Sequence, residues 1–165
     1  MKKTNLSEHN PDEVPSGKGY VVGVIVAEWN REITDALAQG AVETLSRYGV
    51  ADDDIRIVHV PGSFELTTGA DLMLSYNKDV DAVICIGCVI QGETRHFDFI
   101  CEAVSQGITN VSIKHQKPVI FSLLTTNNME QAQDRTGGKH GNKGVEGAVT
   151  ALKMIKLQRE LSRDK

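Results

Sequence analysis

Two apolar runs constrain this chain more than anything else in it. Tyr20 to Ala27 reads YVVGVIVA and Asp81 to Ile90 reads DAVICIGCVI, both continuous rather than alternating. A strand with one wet face alternates apolar and polar residues. An unbroken β-branched run is instead the mark of a strand buried on both faces of a parallel sheet.

The segments around these runs complete the pattern. Asn30 is placed to cap a helix whose Ile33, Leu37, Ala41, Leu45 and Tyr48 share one face, with Gly49 as its stop. Ile55 to Val60 reads as a second strand, and Ser63 as the cap of a helix running to about Tyr76. Asp81 to Ile90 is the central strand. A helix from about His96 is expected to bury Phe97, Cys101, Val104 and Ile108. Pro118 to Thr125 is the fourth strand, and Asn127 with Glu130 forms a capping-box-like pair opening a short helix. A Gly-rich turn, Gly137 to Gly141, then leads into a last helix through Val145, Val149, Leu152 and Ile155. Strand and helix alternate four times, so the fold class is α/β: a three-layer sandwich with a four-stranded parallel sheet and helices on both faces. Right-handed crossovers gather the strand-to-helix loops on one edge, where such sheets bind ligands.

Residues 1–19 are polar, with Pro11, Pro15, Gly17 and Gly19, and read as a flexible arm. Residues 20–165 form a single domain. A chain of 165 residues, 40% of them hydrophobic, buries roughly 70% of its unfolded surface and needs no staples. Its 18 Lys and Arg against 22 Asp and Glu are mixed along the whole length, which favours no nucleic-acid partner. The polar N-terminus and the lack of a long apolar run give the expectation of no signal peptide and no membrane span. Three cysteines, an odd count, suit a reducing compartment, so the expected location is cytoplasmic.

Cys85 and Cys88 make a C-x-x-C, but three residues apart on a strand they face opposite ways, and no second pair completes a metal site. They read as buried core thiols. No metal and no cofactor is implied. The first strand ends Ala27-Glu28-Trp29-Asn30 without the glycines of a dinucleotide fingerprint, and the Gly-rich segment 137–144 lacks the spacing of a nucleotide-hydrolysing phosphate loop.

Other groups lie on the ligand edge. Trp29, the only Trp, is equally a core residue and a stacking platform for a planar ring. Phe121, in mid-strand, reads as core. Ser63 and Glu65 serve a helix start, yet both can hydrogen-bond a polyol. The loop Gln91-Gly92-Glu93-Thr94-Arg95-His96 opens a helix, whose N-terminal N–H groups bind anions. Thr94 adds a hydroxyl, and His96 an imidazole able to exchange protons at neutral pH. Arg135 is either a C-terminal partner of the short helix or a bidentate grip on phosphate. Lys139 and Lys143 assist it or are simply solvated.

In order along the chain, these segments resemble the lumazine synthase family of riboflavin biosynthesis. The matching stretches are Glu28-Trp29-Asn30, Gly62-Ser63-Phe64-Glu65, Gly87 through Asp98, and Pro118-Val119-Ile120-Phe121 with Leu124-Thr125-Thr126. The last is Glu130-Gln131-Ala132 running through Arg135 to Gly141-Asn142-Lys143-Gly144. The resemblance spans about Tyr20 to Leu157 and implies a flavodoxin-like fold and a transferase activity. The family condenses 5-amino-6-(D-ribitylamino)uracil with 3,4-dihydroxy-2-butanone 4-phosphate, giving 6,7-dimethyl-8-ribityllumazine, phosphate and water.

By that resemblance Trp29 stacks on the pyrimidine, and Phe121 from a neighbouring subunit supports its other side. Ser63, Phe64 and Glu65, helped by Asn30, hold the ribityl-bearing substrate, and Cys88, Val89 and Ile90 contact the pyrimidine. Glu93, Thr94 and Arg135 bind the phosphate, and His96 moves protons. Gln91 stands where many members carry Arg, and Trp29 where Phe is commoner. The resemblance also implies pentamers, a 60-subunit icosahedral shell favoured by the compact 135–142 turn, and riboflavin synthase as a candidate partner. Three other functions fit the scaffold: a flavin-binding protein, a shell subunit without catalysis, and a flavodoxin-like electron carrier. The first two need no phosphate-plus-base pair, and the third needs a phosphate loop after strand one that Glu28-Trp29-Asn30 does not supply.

Overall fold

The structure, a computed structural model, describes residues 5–163. Its sheet consists of β1 (Val22–Ala27), β2 (Ile55–Val60), β3 (Ala82–Ile90) and β4 (Val119–Thr126), all parallel, in the order β2-β1-β3-β4. The two unbroken apolar runs are therefore the two interior strands, and every residue of β1 is buried. β1 pairs with β3 from Val22 and Ala82; just outside that register Val21 N–H donates to the Asp81 carboxylate at 2.9 Å and Asp81 N–H to the Val21 carbonyl at 2.8 Å.

Helices α1 (Arg31–Arg47) and α5 (Lys143–Arg163) cover one face, and α2 (Leu66–Tyr76) and α3 (His96–His115) cover the other. The two-residue period of the strands divides the core between them. Val24, Val26, Ile84, Ile86 and Cys88 meet Leu37, Leu45, Leu152 and Ile155 on the α1–α5 side. Ile25, Val83, Cys85 and Leu123 meet Leu66, Leu74, Val104 and Ile108 on the other. The two cysteines thus lie on opposite faces, both buried. A short α4 (Met129–Gln133) and a two-stranded hairpin, β5 (Thr136–Gly138) with β6 (Gly141–Asn142), join β4 to α5. Gly137 and Gly141 carry φ of 110° and 83°, which explains the glycines of that turn.

Where α1 and α5 cross, Asn142 acts as a bracket. Its Oδ1 accepts from the backbone N–H groups of Gly144 at 2.8 Å and Val145 at 3.3 Å, capping α5, while its Nδ2 donates to the Ala36 carbonyl at 3.0 Å. Gly144 is pressed so closely on α1 that a Cβ would overlap the Leu37 carbonyl. Of the arm, residues 1–4 lie outside the described residues. The rest runs over the α1–α5 side: Leu6 N–H donates to the His140 carbonyl at 3.1 Å, the His9 ring meets the Tyr48 hydroxyl at 2.8 Å, and Val14 joins the core.

Four local expectations are corrected. Asn30 stands where α1 begins, but with φ 58° and ψ 47° its side chain makes no capping bond. Ser63 caps nothing: Ser63–Glu65 is a 3-10 turn, and α2 starts at Leu66. The capping pair of α4 is Asn128 and Gln131 rather than Asn127 and Glu130. Asn128 Oδ1 accepts from Gln131 N–H, and Gln131 Oε1 accepts from Asn127 N–H, both at 2.9 Å. On α3, Val104 and Ile108 are buried as expected, but Phe97 and Cys101 are only half-buried. They lie in the first two turns of α3.

Candidate active site

A cleft of about 590 Å³ opens at the carboxyl ends of β1, β2 and β3, the place an open parallel sheet offers a ligand. Three connections build it. Beyond β1 the ladder continues as Glu28 N–H donates to the Val60 carbonyl at 2.9 Å and Trp29 N–H to the Pro61 carbonyl at 3.3 Å. The chain then turns sharply at Asn30, whose left-handed backbone a short polar side chain tolerates. Asn30 Nδ2 donates to the Cys88 carbonyl at 2.9 Å, locking the loop to the end of β3.

Trp29, immediately before Asn30, is 73% exposed, so it is a platform at the cleft and not a core residue. After β2, the Pro61-Gly62 turn swings Ser63, Phe64 and Glu65 into the wall. Phe64 is exposed, whereas the Ser63 hydroxyl is buried without a hydrogen-bond partner. Ser63 lies so close to Gly87 that a Cβ there would come within 2.7 Å of its Oγ.

Cys88, Val89 and Ile90 form the floor. Burial pushes the Cys88 thiol up to about 11 and that of Cys85 up to about 12, so neither is a thiolate nucleophile at neutral pH. Gln91 N–H donates to the Thr126 carbonyl at 2.8 Å, after which residues 91–96 are exposed. His96, in the first turn of α3, reaches the cleft, and its backbone N–H donates to Thr94 Oγ1 at 3.4 Å.

The structure thus brings together Trp29, Asn30, Ser63, Phe64, Glu65, Cys88, Val89, Ile90 and His96. Glu93 and Thr94 stand on the exposed loop leading to His96 and do not line the cleft. Two further residues also lie elsewhere. Phe121, expected in the core, shares the α3-facing side of β4 with the buried Val119 and Leu123, but at the edge of the sheet it is 37% exposed, beside Ile108, Ser112 and Ile113 of α3. Arg135 closes the hairpin on the α5 side, its Nη2 2.8 Å from Glu146 Oε1.

Pro61, Gly62 and Ile100 line the cleft without having been singled out. A signal existed for Ile100, which lies one helical turn from His96 and so on the same face. Gly62 sits where a Cβ would crowd Glu65 Oε2 at 3.1 Å, a constraint only the fold reveals.

The fold and cleft define an open α/β protein with a ligand site that joins an exposed indole, hydrogen-bonding groups and an accessible imidazole. The profile of the 6,7-dimethyl-8-ribityllumazine synthase family matches residues 19–159, and the chain belongs to that family. It is 60% identical over 151 residues to a 6,7-dimethyl-8-ribityllumazine synthase of Cytophaga hutchinsonii, covering 92% of this chain and 94% of that one. A protein of the same name from Porphyromonas gingivalis is 54% identical over 155 residues, covering 94% and 96%. Another, from Parabacteroides distasonis, is 50% identical over 151 residues, covering 92% and 94%. Among the described residues, no helix is long and apolar enough to cross a membrane.

Proposed function

We propose that this chain is a transferase that condenses 5-amino-6-(D-ribitylamino)uracil with 3,4-dihydroxy-2-butanone 4-phosphate, releasing 6,7-dimethyl-8-ribityllumazine, phosphate and water. The observation that carries the reading is the cleft itself, in which Trp29, Ser63, Glu65 and His96 converge in a member of this family. The indole stacks on the pyrimidine. Ser63 and Glu65 hydrogen-bond the polyol, Phe64 packs on it, and Asn30 fixes the wall by its bond to Cys88. Val89 and Ile90 contact the ring edge. Glu93 and Thr94 receive the phosphate at the start of α3, where helix N–H groups favour an anion.

The reaction joins an amine to a carbonyl, loses phosphate and closes a ring, and each step moves a proton. Holding two substrates in place supplies up to about 7–11 kcal/mol of such a barrier. Proton transfer by His96 then adds roughly 10²–10⁴-fold.

Phe121 and Arg135 lie off the cleft of their own chain. We infer that they complete the site of a neighbouring copy, Phe121 covering the second face of the pyrimidine and Arg135 gripping phosphate. The assembly is then a pentamer, and the compact 135–142 hairpin favours packing into a 60-subunit icosahedral shell. Riboflavin synthase is the candidate partner of that shell, and the cytoplasm its location.

Mixing the purified protein with both substrates and following product absorbance tests the reaction. Product formation is expected; flavin binding without turnover would favour a flavin-binding protein instead. Light scattering with mass determination tests the assembly: a monomer would rule out the shared site, and an isolated pentamer only the shell.

A further inference from the structure

The Gly-rich hairpin ends in a cluster of two cations on one carboxylate. Arg135 precedes β5 and Lys143 follows β6, and the backbone N–H of Lys143 donates to the Arg135 carbonyl at 2.9 Å. Both side chains converge on one carboxylate. Arg135 Nη2 is 2.8 Å from Glu146 Oε1, and Lys143 Nζ is 3.0 Å from Glu146 Oε2. The three side chains are only 15%, 27% and 20% exposed, unlike the ion pairs along the outer faces of the helices. Glu146 lies in the first turn of α5, whose dipole favours an acid there.

Two cations share one carboxylate, so the cluster keeps one positive charge. Each carboxylate oxygen is occupied by a different cation, and Lys143 therefore fixes the carboxylate from the side opposite Arg135.

We propose that Glu146 is a positioning residue that holds the Arg135 guanidinium ready for a phosphate monoester, with Lys143 steadying it from behind. The proposal rests on the reading of Arg135 as the phosphate grip. An arginine is a useful fork only when its plane is set, and a free one loses rotamer freedom each time it binds. Glu146 takes one edge of the guanidinium and leaves the remaining donors for the anion. The carboxylate also repels phosphate, but the two cations it holds screen that repulsion.

Steady-state kinetics of the assembled protein, varying each substrate in turn, test the proposal on Glu146→Gln, Arg135→Ala and the double variant. Glu146→Gln should raise KM for the phosphorylated butanone roughly tenfold, the size of one lost charge-assisted hydrogen bond. KM for the ribitylaminouracil should stay unchanged, and inhibition by inorganic phosphate should weaken in proportion. In the Arg135→Ala background the same substitution should add less than about twofold, because the residue through which it acts is gone.

An equal rise in both KM values, a fully additive effect in the double variant, or a fall in KM for the phosphorylated substrate would overturn the proposal. If Arg135→Ala alone leaves that KM unchanged, the reading of Arg135 fails first, and the proposal with it. Glu146→Asp keeps the charge but is a methylene too short to reach both cations. It should give a smaller rise confined to the same KM, and it decides the matter should Glu146→Gln not fold.

Discussion

Asn30 and Cys88 are joined across the mouth of the cleft, the side-chain amide of one donating to the backbone carbonyl of the other at 2.9 Å. The bond adds a side-chain tie at the cleft to the backbone pairing of β1 with β3. Asn30 also holds a left-handed backbone, with φ 58°. Asn30→Ala loses the hydrogen bond, about 0.5–1.5 kcal/mol, and adds about 1–2 kcal/mol of backbone strain. Asn30→Gly loses the bond and about 0.4–1 kcal/mol of unfolded-state entropy but escapes the strain. Denaturant unfolding should rank wild type above Asn30→Gly and Asn30→Gly above Asn30→Ala; equal losses would mean that the strain is no larger than the entropy cost of glycine.

His96→Ala should slow single turnover roughly 10–10³-fold while both substrates still bind. The effect is bounded because proximity supplies much of the rate. Single-turnover measurements on the folded variant check it, and an unchanged rate would remove the imidazole from the mechanism.

At Gly144, α5 lies tight against the backbone of α1. A methyl group there meets the Leu37 carbonyl, a backbone atom that no rotamer change can move. Gly144→Ala should therefore cost at least about 3 kcal/mol and lower Tm by roughly 6–12 °C. A melting temperature within a degree or two of wild type would show that the two helices slide apart freely.

On the other face, Asp71 Oδ1 lies 2.7 Å from both Lys114 Nζ and His115 Nε2, tying α2 to the end of α3. The hydrogen bond from Lys114, then that from His115, holds the Asp71 carboxyl below its ordinary range. A group whose folded value is depressed stabilises fully above its unfolded value of about 3.9, and that contribution is lost as pH falls through the lower folded value. Asp71→Asn should thus be less stable than wild type at neutral pH, with the gap closing below about pH 4. Urea unfolding across pH 3–7 checks this, and a gap independent of pH would rule out the charge as its source.

The interior strands could be read from the sequence because burial on both faces writes itself as an uninterrupted apolar run. Phe121 could not. Whether a strand is an edge depends on the order of strands, which no local pattern encodes, and at the β4 edge Phe121 is left partly bare although Val119 and Leu123 on the same face are buried. Asn127 and Asn128 are both able caps, so the pairing of α4 was settled by where β4 releases the chain. At the site, the residues of the β1, β2 and β3 loops were legible because each follows directly on a strand end. The hold of Glu146 on Arg135 was not, because the two meet only through the closure of the hairpin between them.

The position of Phe121 has a genetic consequence. With the aromatic on one edge of the subunit and the imidazole in a cleft at another, the two contributions of a chain become separable on the shared-site reading. A His96→Ala subunit still lends an intact Phe121, and a Phe121→Ala subunit still lends an intact cleft. Unfolded and reassembled together in equal amounts, two impaired variants should regain up to about a quarter of wild-type activity, from the junctions where chance seats both sound halves together. Two impaired alleles in one cell would then complement each other within a single assembly.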